Sequence, residues 1–187
     1  DSAPIRLCSP QTAGQAAGVW CNYGVGADGP LDQTLDDGFL TAFETPALTE
    51  DMDLLGFATF HAEAACDQPQ GTLVAVLSAV NPNGEATLIS YGVLNLTHRN
   101  SHAAPEPMPV GQTVPVTVQL NASGQRVAAG QRLRLAIGTA YWPVIWPAQR
   151  KTVVTLAPGT ARLDLPLRAP RSLDDRLAPF QRPEAAQ

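Results

Sequence analysis

The sequence predicts an all-β fold, a two-sheet jelly-roll sandwich behind a loop-rich opening segment, and three observations predict it. Seventeen prolines and fifteen glycines cut the chain into short apolar runs, which is the texture of sandwiches and barrels. Those runs number about eight, the strand count of a jelly roll. Several of them alternate apolar and polar residues, and none sustains a helical period.

The opening, residues 1–37, carries no usable period and is expected to pack as a lead-in on the sandwich. The sandwich itself is expected over 38–168, with strands at 39–44, 54–64, 73–80, 87–97, 114–120, 132–139, 152–156 and 162–167. In 114–120, Val114, Val116, Val118 and Leu120 alternate with Pro115, Thr117 and Gln119, so one face covers a core and the other meets solvent. Pro115 places this strand at a sheet edge, because proline donates nothing to a ladder. Residues 73–80 are apolar on both faces, as befits a strand covered on both sides, either centrally or under another domain. Asn81-Pro-Asn-Gly84 then turns the chain back into 87–97 as a hairpin. Residues 132–139 alternate Leu133, Leu135 and Ile137 against Arg132, Arg134 and Ala136, and lead into a loop where Pro143 and Pro147 stiffen the frame around Tyr141, Trp142 and Trp146. The final stretch, 169–187, alternates Pro, Arg, Asp and Ala and reads as a tail, disordered or lying on a partner.

Composition bounds the function. A chain of 187 residues buries roughly 70% of its unfolded surface as one domain. With 44% hydrophobic residues, 16% charged residues and a formal net charge of −5, it carries no nucleic-acid footprint. Its apolar runs are too short for a membrane helix. Three cysteines, Cys8, Cys21 and Cys66, suit neither a disulfide framework nor a metal motif, and point to a reducing, cytoplasmic setting. The chain starts at Asp1, which is expected of a processed protein or a piece of a longer one.

No Gly-x-Ser-x-Gly elbow occurs, and Ser78, Ser90 and Ser123 lie in strand or turn contexts, so a triad within the chain is not expected. His98 and His102 are four apart, yet Arg99 replaces the glutamate of a zinc-protease helix and Asn100 and Ser101 disfavour that helix. The pair reads as hydrogen-bonded histidines at a polar strand end, with no metal. Asp32, Asp36 and Asp37 offer clustered oxygens that suit calcium, against the alternatives of a solvated turn or an interdomain polar contact. Tyr141, Trp142 and Trp146 are either a pocket wall or stacking platform, or a plug for the end of the sandwich. No cofactor is called for.

Longer motifs carry a resemblance. Asp32-Gln33 with Asp36-Asp37-Gly38, then Phe43, Pro46-Ala-Leu48, the run from Gly92 to His102, and the run from Gly130 to Pro147 resemble the C-terminal domain of CocE/NonD hydrolases, a group that includes cocaine esterase-like enzymes and X-Pro dipeptidyl-peptidases. The likeness spans roughly Cys21 to Leu167. It implies a galactose-binding-like jelly roll packed on an upstream α/β-hydrolase domain that holds the Ser, Asp and His of the triad. No catalytic residue carries over to this chain. Tyr141, Trp142, Trp146, His98, Arg99 and His102 become candidates for the interface or substrate pocket. Two departures stand out: Val76-Leu-Ser-Ala-Val80 replaces the charged Arg-Leu-x-Asp-Val pattern, and Thr34 stands where an arginine commonly follows Asp-Gln. The competing functions are a sugar-binding module built on Trp142 and Trp146, and a homo-oligomerisation module built on 73–80 or the tail.

Overall fold

The computed structural model describes residues 3–21, 23, 24 and 28–177, and residues 178–187 of the expected tail lie outside them. It is an all-β sandwich. Among the described residues eleven strands form, β1 (Ile5–Leu7), β2 (Thr41–Glu44), β3 (Met52–Gly56), β4 (Thr59–Cys66), β5 (Thr72–Val80), β6 (Ala86–Asn95), β7 (Val114–Gln119), β8 (Ser123–Val127), β9 (Arg132–Gly138), β10 (Val154–Leu156) and β11 (Arg162–Asp164). One sheet runs β1-β10-β4, with β11 sharing that edge of β4 and β7 on the other. The facing sheet runs β2-β9-β5-β6, and β3 pairs with β8 in a separate ribbon.

The main core lies between the two sheets. Phe60, Ala62, Ala64 and Cys66 of β4 meet Leu73, Ala75, Leu77 and Ala79 of β5, with Val116 and Val118 of β7 and Leu133 and Ile137 of β9 filling in. Burial of each large side chain here contributes about 1.5–3 kcal/mol. β10 and β11 use different stretches of the same β4 edge, and the turn between them fills the gap: Ala157 N–H donates to Glu63 O (2.8 Å) and the Thr160 hydroxyl accepts from Glu63 N–H (3.1 Å).

A second core forms on the outer face of the β2-β9-β5-β6 sheet. Val74 and Val76 of β5 and Ala136 of β9 are covered there by Ala17 from the lead-in and by Tyr141 and Val144 from the loop after β9. This is why 73–80 is apolar on both faces. Both covers belong to the chain itself, so β5 leaves no face for a second copy. Val76, where the resemblance leads one to expect a charged residue, packs into this second core.

The lead-in is stapled by the acidic stretch. A short helix, α1 (Thr34–Asp37), presents Asp36, whose carboxylate accepts from Gly14 N–H (2.9 Å) and Ala16 N–H (2.6 Å). Buried Gln33 donates from Nε2 to Ala16 O (2.7 Å) and Leu31 O (2.8 Å). At the far end, Ser9 and Thr139 exchange hydrogen bonds, each hydroxyl accepting from the other's N–H at 3.1 and 3.2 Å.

The Asn81–Gly84 turn forms as expected, with Gly84 at φ +95° and its N–H donating to Asn81 O (2.9 Å). Pro115 does lie on an edge strand, since β7 pairs only with β4. Other expectations need correction. The 54–64 run is two strands, because Gly56 takes φ +132° against Pro166 and lets β3 leave to pair with β8. β8 itself was hidden, for Ser-Gly-Gln-Arg-Val has no apolar alternation; the Arg126 guanidinium holds Asp53 of β3 at 2.7 and 3.0 Å instead. β1 lies inside the opening that reads as loop. β11 stops at Asp164, short of Pro166, and β6 gives way at Asn95 to a 3₁₀ turn (Leu96–His98) that the Asn95 side chain caps by accepting from Thr97 N–H.

Candidate functional site

The aromatic loop divides its residues between inside and outside. Tyr141 is buried, with its ring centroid 5.3 Å from that of Tyr91. Its hydroxyl meets no partner among the described residues, and burial pushes the phenol well above its ordinary pKa, with the Asp36 charge adding to the shift. Trp142 N–H donates to Ala13 O (2.6 Å), and Ile145 N–H donates to Tyr141 O (2.9 Å). The Trp142–Pro143 peptide bond is cis. Gly14 lies so close that a Cβ there would stand 2.8 Å from the Trp142 backbone nitrogen. Lead-in and loop thus clamp one another. Outside, the Trp146 ring sits edge-on to Trp142, centroids 5.5 Å apart, and is 84% exposed. Trp146 borders a depression of about 220 Å³ with Gln70, Thr72, Asn95, Thr97 and Gln149.

A second exposed tryptophan was missed by sequence reasoning. Trp20 is 77% exposed and borders a depression of about 280 Å³ with Tyr91, Val93, Asn121, Val144 and Ile145. Tyr91 and Val93 of β6 thus line Trp20's depression, and Asn95 of the same strand lines Trp146's. Leu31 and Leu35 are exposed on the lead-in as well, and Phe39 just after it. No alternation marks Trp20, which stands in a glycine-punctuated stretch; its rarity among 187 residues was the one available signal.

The histidine candidates sit on the turn after β6, whose Thr97 borders the Trp146 depression. His98 Nδ1 lies 3.3 Å from His102 Nδ1, with ring centroids 5.4 Å apart. Arg99 donates to Leu96 O (3.2 Å) and Glu106 O (2.8 Å), and its guanidinium lies 3.6 Å from the Glu106 carboxylate. Arg99 therefore braces the turn.

The three acidic candidates point to separate partners. Asp32 accepts from Ala86 N–H (2.9 Å) and Thr34 N–H (3.1 Å), and these two backbone bonds hold its carboxyl below the ordinary range. Asp36 holds the lead-in. Asp37 pairs with Arg134, which also bonds Glu44 from Nε at 2.6 Å; burial nevertheless lifts the Asp37 carboxyl above its ordinary value, against the pull of Arg134. Among the described residues no three His, Cys, Asp or Glu side chains gather as a metal site.

One constellation has the outline of a relay: His61 Nδ1 lies 3.1 Å from the Thr117 hydroxyl and its Nε2 lies 3.3 Å from the Asp164 carboxylate. It spans β7, β4 and β11 on a strand face, where the ladders on both edges of β4 engage its backbone donors. Ser90 donates its hydroxyl to Asn121 O (2.7 Å) and Ser78 is buried, so neither is poised for attack. An apolar cleft of about 310 Å³ opens between the sheets where β2 and β9 approach β11, lined by Phe43, Phe60, Leu77, Leu133, Leu135 and Leu163.

Fold and surface together define an all-β sandwich module whose exposed aromatics are carried on a clamped loop and lead-in. The X-Pro dipeptidyl-peptidase C-terminal non-catalytic domain model matches residues 5–172, and the chain belongs to that family. No curated protein sequence matches it. Among solved structures, an α-amino acid ester hydrolase superposes over 90% of this chain and 33% of its own, with TM-score 0.74 and 16% identity. An aminopeptidase from a marine sediment Thaumarchaeota archaeon superposes over 90% of this chain and 34% of its own, at TM-score 0.75 and 12% identity. A CocE/NonD family hydrolase from Staphylococcus aureus covers 74% of this chain and 32% of its own, at TM-score 0.60 and 14% identity. The chain spans about a third of the length of each of these structures. At such identities the likeness shows a shared fold.

Proposed function

We propose that the chain serves as the non-catalytic jelly-roll domain of an α/β-hydrolase-type serine hydrolase, an X-Pro dipeptidyl-peptidase or acyl esterase, and packs against its catalytic domain. The observation that carries the reading is the exposed Trp146, held on a loop whose backbone is clamped to the lead-in. A rigid, solvent-facing indole loses little entropy on burial against a partner, which is why tryptophan anchors interfaces. Trp20, beside the same β6 face, extends the patch, and together they would wall the acyl or dipeptide pocket from one side. Three free thiols suit a reducing, cytoplasmic setting.

The test has two arms. The isolated chain should neither hydrolyse an activated ester or an X-Pro anilide nor take up a serine-directed fluorophosphonate; a burst of product abolished by that inhibitor would overturn the reading. In the parent hydrolase, Trp146→Ala should leave chain stability within about 0.5 kcal/mol, as expected of an exposed side chain, while raising KM or loosening the two domains. Unchanged kinetics and unchanged domain association would remove Trp146 from the interface.

The depression beside Trp146 favours a second reading, a carbohydrate-binding module. An exposed indole next to Gln70, Asn95 and Gln149 offers a stacking face with amide hydrogen-bonding groups beside it. Titration of tryptophan fluorescence with a glycan panel separates the two. Saturable quenching lost in Trp146→Ala supports the module; a flat response counts against it.

A further inference from the structure

The geometry points to a divalent transition-metal site formed by the Nδ1 atoms of His98 and His102. Their separation is 3.3 Å. A tetrahedral ion with metal–nitrogen bonds of about 2.0–2.1 Å needs two ligand nitrogens about 3.3–3.4 Å apart. The two nitrogens therefore already stand at the separation such an ion requires, and rotation of the two rings is enough to turn both lone pairs onto it.

The turn is built to keep them there. Buried Leu96 and Met108 anchor its two ends, with Leu96 N–H donating to Gly71 O and Met108 N–H to Pro69 O, both at 2.9 Å. Between them Glu106 N–H donates to Thr97 O (2.8 Å), Arg99 ties Leu96 O to Glu106 O, and the Ser101 hydroxyl accepts from Ala103 and Ala104 N–H at 3.1 Å. The nearby Arg99 charge is offset by the Glu106 carboxylate, which also accepts from Asn100 Nδ2 at 3.2 Å.

Without an ion, one Nδ1–H donates to the other Nδ1 lone pair. When an ion enters, that proton moves through solvent to Nε2 of the same ring, and both Nδ1 atoms present lone pairs. No charge is left over on either imidazole. Neutral imidazole selects zinc, copper or nickel over calcium or magnesium. Two coordination positions remain for water or for an oxygen, nitrogen or sulfur donor from outside the chain.

Zinc chloride and the intact chain provide the test. Long-range proton–nitrogen spectra should show the Nδ1 resonances of His98 and His102 moving together as one ion binds per chain, while His61, paired with Asp164 on another face, stays fixed. His98→Ala and His102→Gln should each weaken binding by about tenfold or more, because each removes one arm of a chelate, with the far-UV circular dichroism unchanged. The proposal is overturned if the two resonances do not move at millimolar zinc, or if binding survives both substitutions. It is equally overturned if binding disappears on alkylating the exposed Cys8 and Cys21.

Discussion

Replacing Asp36 with alanine removes the carboxylate that holds the lead-in, and the structure sets the size of the loss. Asp36 is 3% exposed and accepts two backbone bonds, from Gly14 at 2.9 Å and Ala16 at 2.6 Å. Each bond to a carboxylate contributes about 1.5–3 kcal/mol, and a buried donor left without a partner carries its own desolvation cost of the same order. The expected destabilisation is therefore about 3–6 kcal/mol, a large share of the 5–15 kcal/mol available to a typical domain. For a chain of this size the melting temperature should fall by on the order of 10 °C. Urea unfolding, followed separately by tryptophan fluorescence and far-UV circular dichroism, measures it. The lead-in should also become the first site of limited proteolysis, since the cover over Val74 and Val76 is loosened. A loss below about 1 kcal/mol would refute the argument, because water would then be satisfying Gly14 and Ala16 as well as Asp36 does.

Three further outcomes are expected. Gly14→Ala should cost several kcal/mol by urea unfolding, since φ is +111° and the new Cβ would sit about 2.8 Å from backbone atoms of Tyr141 and Trp142. Arg134→Met should destabilise by about 3 kcal/mol, because it strands the largely buried Asp37 carboxylate; adding Asp37→Asn should recover part of that loss in a double-mutant cycle. The Asp32 carboxyl titrates below its ordinary value of about 3.9, so its contribution is full above that pH and is lost as the pH falls through the lower folded value. Asp32→Asn should thus reduce stability at neutral pH, with the gap from the natural chain closing as acid protonates Asp32. A constant gap across that window would show that charge is not what Asp32 contributes.

Much of the sandwich was legible because its strands follow their own chemistry. The two-sided apolar run of β5, the Asn81–Gly84 turn and the edge placement of Pro115 are each dictated within a few residues. The split between β3 and β4 was not legible, since Leu54 to Ala64 is continuous in hydropathy and only the approach of Pro166 to Gly56 divides it. β8 escaped for a related reason: its pairing rests on Arg126 and Asp53, residues far apart in sequence. At the candidate site, the stiffness of the aromatic loop was readable from its prolines. Which indole faces solvent was not, because that depends on what the lead-in covers. The spacing of His98 and His102 likewise says nothing about Nδ1 separation, which is set by the turn that follows β6.

The reciprocal bonds between Ser9 and Thr139 join residues 130 positions apart, and β1 pairs with β10 still later in the chain. On the ribosome, the first segment therefore emerges long before its partners exist. At about 5–20 residues per second, the wait is on the order of 10 s. Once β5 is made, its outer face lacks the Tyr141 and Val144 part of its lid until the loop after β9 follows, and a nascent chain arrested before that loop would also lack β10 beside β4. Slower synthesis through the second half should accordingly lower the yield of this domain, because it lengthens the time the unpaired first half is exposed.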